Sequence, residues 1–258
     1  MPTHGMTLAS FKRGGIEVID QATKEAFESN SKGLGVLIGP HFHRRLPELV
    51  PVVDHEEKFP HIAYNKAHGV SDPFSHGVAR YAPWQWEQKE QKIIAKLSGK
   101  SLWEGVALKD IEGQDFEMRF NVMLDGEGLH IDLSVVSDTD SLVGLHYYYR
   151  LPDKEGIVEC ATSKEQKFPF KLSPETEVDE NFHFYPDPLK GEVYLRTKEF
   201  DLKVASRCQC QENSWQLYRT KDATFVCIEP ISAKDPHHPT LTVSSLAVDI
   251  MVYPCSSR

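Results

Sequence analysis

The chain has 258 residues, enough for one large all-β domain or two small domains, and its 40% hydrophobic and 26% charged residues suit an ordinary globular core. A formal net charge of −9 at pH 7 argues against nucleic acid and anionic membranes as partners. No apolar run approaches the ~20 residues of a membrane span, and residues 1–15 lack the apolar segment of a signal peptide. Together with five scattered cysteines, these observations predict reduced thiols and a cytoplasmic location.

The most regular pattern is the alternation of apolar and polar residues in two neighbouring segments. Apolar residues occupy every second position from Phe116 to Leu124, and again over residues 129–135. Residues 125–128, Asp-Gly-Glu-Gly, separate the two segments and are typical of a turn. Because a period of two places alternate side chains on one face of a strand, the pattern predicts an antiparallel β-hairpin.

Shorter segments with the same alternation recur along the rest of the chain, and helical periodicity is rare. Residues 87–97 contain good helix formers, but their apolar positions do not follow helical spacing, so we predict a strand with a polar face. Many short strands predict an all-β fold, a sandwich or a barrel, and the lack of a linker or repeat predicts a single domain over residues 1–258. The further predicted strands cover residues 16–20, 36–38, 193–195, 200–204, 215–217, 224–228 and 246–252.

Residues 40–73 differ from the rest of the chain because they contain five prolines among many histidine and aromatic residues. Proline interrupts the hydrogen-bonded ladder of a sheet, so this segment is predicted to form loops that wall a site. A second loop, acidic and on the surface, is predicted at residues 174–180.

Three segments from distant parts of the chain place histidine or glutamate beside glycine, proline or aromatic residues. An imidazole that faces a carboxylate across a cleft can act as an acid–base pair near neutral pH, and aromatic rings suit the apolar faces of a sugar. Most of the twelve histidines must serve packing or the surface, so spacing by itself leaves their roles open. The segments are residues 74–84, with His76, Arg80 and Trp84; residues 144–149, with His146 and Tyr148; and residues 227–230, with Glu229.

These segments resemble the galactose mutarotase-like superfamily. His-Gly-Val-Ala-Arg at 76–80, followed by Trp84, is similar to that superfamily's His-Gly-aromatic-Ala-Arg…Trp segment. Leu-His-Tyr-Tyr-Tyr at 145–149 resembles a Leu-His-x-Tyr-Phe segment, and Ile-Glu-Pro at 228–230 resembles a late Val-Glu-Pro segment. Order and rough spacing agree over residues 34–252. The resemblance is strongest to the aldose 1-epimerase branch that includes glucose-6-phosphate 1-epimerases.

The resemblance implies a large antiparallel β-sandwich of the galactose mutarotase type that binds a sugar in an open groove. It implies an isomerase, an aldose 1-epimerase that interconverts the α and β anomers of a hexose or hexose 6-phosphate without metal or cofactor. The partner is then a small-molecule sugar or sugar phosphate, and the protein is expected to be a monomer or weak dimer.

The resemblance also implies roles for individual residues. Glu229 is the expected base at the anomeric hydroxyl, and His146 the expected acid at the ring oxygen. We expect these two groups on opposite sides of the sugar, several ångströms apart and not in contact. The expected substrate-binding residues are His76, Arg80, Trp84 and Tyr148.

Two departures from the family pattern keep a second interpretation open. Residues 190–194 read Lys-Gly-Glu-Val-Tyr where the family has Asp-Arg before Val-Tyr, so a sugar-binding aspartate is missing unless Asp187 or Glu192 replaces it. Residues 59–65 also lack the family's arginine and Gly-x-Pro run. The alternative is therefore a non-catalytic carbohydrate-binding relative of the same fold.

A phosphate on the sugar is a further possibility that the sequence leaves open. Arg44 and Arg45, together with Arg80, are expected near the groove of this acidic chain. The planar guanidinium fork suits phosphate oxygens. The alternative is that Arg44 and Arg45 are solvated charges on a loop.

Two clusters contain residue types that bind metals. Gly35, His41, His43 and Glu48 have the spacing of the first metal motif of cupins, a different β-barrel family, although prolines interrupt the strands that such a site needs. A cupin-like metalloprotein is therefore a third alternative. Cys-Gln-Cys at 208–210 is predicted to lie on a strand with both thiols on one face, and zinc there would need two further ligands.

Overall fold

Antiparallel β-strands form most of the regular structure in the computed structural model, which describes residues 1–162, 168–207 and 213–255. These ranges contain three short α-helices: α1 (Lys24–Asn30), α2 (Pro60–Ala67) and α3 (Leu108–Glu112). None of the helices in the described ranges is long and apolar enough to cross a membrane. The strands are β1 (Lys12–Arg13), β2 (Ile16–Glu17), β3 (Gly35–Ile38), β4 (Gln85–Lys89), β5 (Lys92–Ser98), β6 (Leu102–Trp103), β7 (Val106–Ala107), β8 (Phe116–Leu124), β9 (Leu129–Ser137), β10 (Gly144–Arg150), β11 (Gly156–Cys160), β12 (Phe170–Leu172), β13 (His183–Phe184), β14 (Glu192–Arg196), β15 (Phe200–Ser206), β16 (Trp215–Tyr218), β17 (Phe225–Pro230) and β18 (Val243–Pro254).

Within the described ranges, the strands assemble into two large sheets and two short ribbons. The larger sheet has nine strands in the order β12-β11-β14-β15-β18-β9-β8-β5-β4, and the smaller has five in the order β13-β16-β17-β10-β3. Neighbouring strands in both sheets run antiparallel. Side chains from both sheets share one hydrophobic core, in which Leu133 of β9 and Leu217 of β16 are buried. The predicted antiparallel β-sandwich is therefore confirmed.

The predicted hairpin is confirmed as β8 and β9. The two strands stay in register over their whole length, from Phe116 opposite Ser137 to Leu124 opposite Leu129. At the turn, the side chain of Asp125 accepts hydrogen bonds from two backbone N–H groups, at 2.8 and 3.1 Å. Side chains of β9 alternate between buried and more exposed positions, so one face of the hairpin contributes to the core.

Most other predicted strands are also present. Residues 87–97 form parts of β4 and β5, as the polar-face interpretation predicted. The strand predicted at 16–20 is shorter, since only Ile16–Glu17 pairs in a ribbon. The Cys-Gln-Cys prediction at 208–210 lies outside the described residues. The remaining predicted strands, at 36–38, 193–195, 200–204, 215–217, 224–228 and 246–252, coincide with β3, β14, β15, β16, β17 and β18.

The proline-rich segment 40–73 contains a helix that the sequence did not predict. Helix α2 begins at Pro60. Proline is tolerated at the first position of a helix because the N–H group that it lacks would have no hydrogen-bond partner within the helix. Its buried side chains are Ile62 and Asn65, too few for a clear helical period. The rest of the segment forms loops and short 3₁₀ turns, as predicted.

The five-stranded sheet contains the strand that organises the candidate site. Strand β10 lies between β3 and β17 and is buried on both faces from Gly144 to Tyr149. A strand covered on both sides need not alternate apolar and polar residues. Polar side chains within it are therefore held in place by two neighbouring strands and withdrawn from bulk water.

Candidate active site

Strand register brings a histidine and a glutamate from distant parts of the sequence into contact. In the antiparallel pair β10–β17, Tyr148 lies opposite Cys227. His146 precedes Tyr148 by two residues and Glu229 follows Cys227 by two. Because the strands are antiparallel, His146 and Glu229 therefore also oppose each other, on the same face as Tyr148 and Cys227. Nε2 of His146 lies 2.8 Å from Oε1 of Glu229.

The expectation that His146 and Glu229 would stand apart, on opposite sides of a sugar, is wrong for this structure. Directly opposed residues in an antiparallel pair have Cβ atoms only about 5 Å apart, so register by itself makes the two side chains neighbours. Their approach lacks the angles of a hydrogen bond, and both carboxylate oxygens of Glu229 are buried without a hydrogen-bond partner among the described residues.

Strand β16 extends the same face with two residues that the sequence did not single out. Gln216 lies opposite Glu229, and Tyr218 lies opposite Cys227. The Tyr218 ring is 6.4 Å from the His146 ring, centroid to centroid. The alternation over 215–218 indicated a strand, but only the register with β17 shows that these side chains share a face with His146 and Glu229.

The loop formed by the first of the three motif segments, residues 74–84, covers this face. The His76 ring stacks on the His146 ring, with centroids 5.2 Å apart and planes inclined by 25°. His76 and Gly77 both have positive φ, 66° and 86°, and a side chain at position 77 would collide with the carbonyl oxygen of Gly39. The glycine is therefore required for the close approach of this loop to β3.

Arg80 is buried beside the pair. Its side chain is 1% exposed, and its Nε donates to the carbonyl oxygen of Leu37 at 3.4 Å, a long hydrogen bond. Its Nη2 is buried without a hydrogen-bond partner among the described residues. A buried guanidinium with an unused donor can donate a hydrogen bond to a ligand oxygen in the cavity that it lines.

A buried ionic network fixes the loop from below. Asp72 accepts from Nε and Nη2 of Arg45 at 2.9 and 2.8 Å, and one Glu112 oxygen accepts from the backbone N–H of Val78 at 3.0 Å. The His41 ring lies between the carboxylates of Asp72 and Glu112. Burial opposes ionisation, yet the contacts with Arg45 and His41 outweigh it and hold the pKa of Asp72 well below its ordinary value.

This network corrects two predictions. Arg45 is paired with Asp72 and does not line the cavity, so it is not available to a sugar phosphate there. His41 is likewise engaged with two carboxylates, whereas Glu48 lies in an exposed 3₁₀ turn. His41, His43 and Glu48 thus do not form the trio of a cupin metal site in the part of the chain that the structure describes.

A small cavity of about 70 Å³ lies between the sheet face and the loops. Four predicted site residues line it, whereas Glu229 does not line it and is 0% exposed. His43 and Glu180 also line it, and their side chains approach to 3.6 Å. The acidic loop predicted as surface, 174–180, therefore reaches the site through its last residue. The four residues are His76, Arg80, His146 and Tyr148.

A larger cavity of about 550 Å³ lies elsewhere, beside Ser232 and Ser244. Its volume is more typical of a ligand site, but its titratable side chains Asp235 and His238 are exposed. Exposed groups lack the desolvation that makes an acid or base unusual. We therefore place the candidate site at the smaller cavity, where the histidine–glutamate pair is buried.

Trp84 does not belong to the site, and its predicted substrate-binding role is wrong. Its side chain is 4% exposed and is part of the hydrophobic core, with its ring edge against Phe120. Its Nε1 donates to the carbonyl oxygen of Ala79 at 3.0 Å. An indole enclosed in this way supports the end of the loop but cannot offer a face to a sugar.

Three solved structures show the same arrangement over nearly the whole chain. The Slr1438 protein of Synechocystis sp. PCC 6803 superposes with a TM-score of 0.63 at 16% identity, covering 97% of this chain and 89% of its own. A GalM/aldose epimerase homologue from C. elegans gives 0.63 at 12% identity, covering 98% and 94%. A galactose mutarotase related enzyme from Lactobacillus acidophilus gives 0.61 at 17% identity, covering 98% and 93%. This chain has the galactose mutarotase-like fold.

Structural similarity at these sequence identities establishes the mutarotase-like fold but does not distinguish between branches of the superfamily. The predicted resemblance to the glucose-6-phosphate 1-epimerase branch is therefore not confirmed. No protein-family model matches the chain, and no curated protein is similar to it in sequence. Activity must therefore be argued from the site.

Neither acidic residue considered as a substitute for the family aspartate lies at the site of this mutarotase-like chain. Glu192 contacts Lys203 and accepts from the hydroxyl of Tyr194 at 3.0 Å, on the nine-stranded sheet. Asp187 accepts from the backbone N–H of Leu189 at 2.9 Å in a turn. The cavity lining offers Gln216 and Glu180 as polar groups in their place.

Burial sets the charge state of the pair. Loss of hydration raises the pKa of Glu229 well above its ordinary value, although the nearby Arg80 acts to lower it. The same loss of hydration, assisted by Arg80, lowers the pKa of His146 well below its ordinary value. Both effects favour the uncharged side chains, a protonated carboxyl group on Glu229 and a neutral imidazole on His146.

Proposed function

We propose that the chain is an aldose 1-epimerase that opens and recloses the ring of a hexose or hexose phosphate. The observation that carries this proposal is the buried contact between His146 and Glu229, 2.8 Å apart on the face of the five-stranded sheet. Such a pair can move protons without metal or cofactor, and the mutarotase-like fold supports the same reaction class.

The proposed chemistry uses one shared proton. Transfer of this proton from Glu229 to His146 creates a carboxylate and an imidazolium, and the positive charge of Arg80 favours the carboxylate. The carboxylate removes the proton from the anomeric hydroxyl while the imidazolium protonates the ring oxygen, so the bond from C1 to the ring oxygen breaks. Because both oxygens are attached to C1, adjacent acid and base groups suffice. Rotation about C1–C2 and reversal of these steps yields the other anomer.

Residues around the pair have supporting roles in this proposal. Burial lowers the pKa of His76 well below its ordinary value, with Arg80 adding to the effect, so His76 is neutral and can hydrogen-bond a sugar hydroxyl. Arg80 supplies its unused Nη2 donor, and Tyr148 lines the cavity beside His146. Since the cavity holds only about 70 Å³ and Glu229 does not line it, the cavity must widen before a hexose can reach the pair.

A phosphorylated sugar is the finer version of this proposal. Lys32 and Arg44 line the cavity together with Arg80, so three cations face the site of an otherwise acidic chain. Of the arginines predicted for the phosphate, Arg44 and Arg80 keep that role in this proposal, and Lys32 replaces Arg45. Replacing Arg44 with alanine should raise KM for a hexose 6-phosphate and leave KM for the free hexose unchanged. Equal effects on both substrates would refute the phosphate contact.

A carbohydrate-binding protein without catalysis is the second candidate, favoured by the complete burial of Glu229. A polarimetric panel on glucose, galactose and their 6-phosphates separates the two. Anomer interconversion above the spontaneous rate with one of these sugars supports the epimerase, and its loss in Glu229→Gln assigns the base. Saturable binding of a sugar with no acceleration would establish the second candidate instead.

A further inference from the structure

The sheet face beneath the cavity carries a third reactive group that the proposed reaction does not use. Cys227 precedes Glu229 by two residues on β17, so its thiol lies on the same face. A ring nitrogen of His146, the sulfur of Cys227 and a carboxylate oxygen of Glu229 all lie within 4.8 Å of one another. All three residues are buried.

The same place contains polar atoms with nothing to bond. Both oxygens of Glu229 and Nδ1 of His146 are buried without a hydrogen-bond partner among the described residues. A buried carboxyl group without a partner costs folding free energy, and a ligand or a cation that it binds can recover this cost. Arg80 lies nearby, but its Nη2 is itself unpartnered and therefore does not satisfy the carboxylate.

We propose that this sheet face binds Zn²⁺ through His146, Cys227 and Glu229, with a fourth coordination position open to the cavity. One nitrogen, one sulfur and one oxygen are the donors that zinc combines in proteins. Mg²⁺ and Ca²⁺ prefer oxygen ligands alone and do not suit the thiol. The open fourth position would face the cavity, since His146 forms part of the cavity lining.

The distances need only a small adjustment. In a tetrahedral site with zinc–ligand bonds of roughly 2.0–2.3 Å, ligand atoms lie roughly 3.3–3.8 Å from one another. The largest separation here is 4.8 Å or less, and the Nε2–Oε1 separation is 2.8 Å. Small side-chain rotations therefore bring the three atoms into range without moving the strands.

Zinc at this position has a consequence for catalysis that rests on the proposed function. Zinc would occupy the lone pairs of His146 and Glu229, which the reaction needs for proton transfer. Bound zinc should therefore inhibit epimerisation, and a chelator should restore it.

The test is a metal titration of the full chain in the absence of sugar. The background variant Cys208→Ser/Cys210→Ser removes the closely spaced cysteine pair, which could bind zinc independently. Isothermal calorimetry with Zn²⁺ should give one site per chain. Co²⁺, used as an optical probe, should give tetrahedral absorption bands and a thiolate-to-cobalt charge-transfer band.

The ligand variants and a matched control make the assignment specific. Cys227→Ser should abolish the charge-transfer band, and Glu229→Gln, which keeps the side-chain shape, should weaken zinc binding by more than ~10-fold. Cys255→Ser removes a half-buried thiol that lies near Thr197, outside the site, and should change neither signal. Circular dichroism checks that each variant folds.

Two results would overturn the proposal: no stoichiometric zinc in the background variant, or a charge-transfer band that persists in Cys227→Ser. Because the titration contains no sugar, these results do not depend on whether the chain is an epimerase. Conversely, a protein that binds zinc as expected but accelerates no mutarotation would refute only the proposed function.

Discussion

At the scale of single residues, Glu229 and His146 combine full burial with direct contact. A carboxyl group without water or hydrogen bonds favours its protonated form, and a buried imidazole favours its neutral form. Such an arrangement destabilises the fold and is characteristic of functional sites.

Replacing either member of the pair should lower kcat for mutarotation by ~10²–10⁴, the usual contribution of a general acid or base. Because both groups act in the same step, the variant Glu229→Gln/His146→Gln should lose far less than the product of the two single losses. Stopped-flow polarimetry on the sugar identified by the panel measures both quantities. His68→Gln, on the exposed end of α2, should retain the wild-type rate.

Multiplicative losses in the double variant would show that the two residues act independently, which contradicts the shared-proton mechanism. Full activity in Glu229→Gln would remove Glu229 from the mechanism altogether.

The stability prediction concerns the pH dependence of the wild type and Glu229→Gln. The pKa of Glu229 is raised above its ordinary value of 4.5 in the folded state. Between pH 4.5 and the folded-state pKa, the folded protein therefore keeps a proton on Glu229 that the unfolded chain has lost. The wild type should therefore lose stability as pH rises from 4.5 towards the folded-state pKa, whereas Glu229→Gln should not lose this contribution. Urea unfolding at pH 4 and pH 8 measures the difference.

We expect the variant to gain stability relative to the wild type between these two pH values. A free energy of unfolding of the variant, minus that of the wild type, that stays constant or falls as pH rises would contradict a buried protonated carboxyl group.

At the scale of elements, the site depends on how one loop is held against one sheet. The loop that carries His76 and Arg80 is anchored below by the network of Asp72 and Glu112, and it approaches β3 through Gly77. The geometry of the candidate site thus depends on backbone contacts outside the pair of His146 and Glu229.

Gly77→Ala should destabilise the protein by about 2 kcal/mol or more, because it adds both a positive-φ penalty and a collision with the Gly39 carbonyl. It should also lower kcat, since the His76 ring would shift from its stack on His146. Gly15→Ala is the matched control: its φ is 82°, but an added Cβ meets nothing within 4 Å. It carries the φ penalty alone and should keep wild-type kcat. Thermal unfolding and kcat of both variants test this; equal effects would contradict the close-approach argument.

At the scale of the whole molecule, the two antiparallel sheets share one hydrophobic core. Neither sheet can therefore unfold without exposing core side chains of the other. We predict that the chain unfolds in a single cooperative transition, as one domain would. Leu133→Ala, at a buried position of β9, should cost about 2–5 kcal/mol across that one transition. Leu124→Ala, where the side chain is 48% exposed, should cost far less. Two resolved calorimetric transitions, with only one affected by Leu133→Ala, would contradict the single-domain prediction.

The sequence by itself determined the features that depend on local pattern. Alternation with a period of two predicted the hairpin of β8 and β9 because side chains on a strand face alternate sides whatever its partner is. Short motifs identified His146 and Glu229, together with the loop residues His76 and Arg80. The order and spacing of motifs can be compared between sequences without knowing which residues are in contact.

Only the tertiary structure decided which of these side chains meet. The register of β10 with β17 places His146 against Glu229, and no local pattern encodes the register between strands so far apart in sequence. Burial likewise decided that Trp84 belongs to the core and that Arg45 is paired with Asp72. Pairing and burial depend on the packing of distant segments, so the composition of each segment could not reveal them.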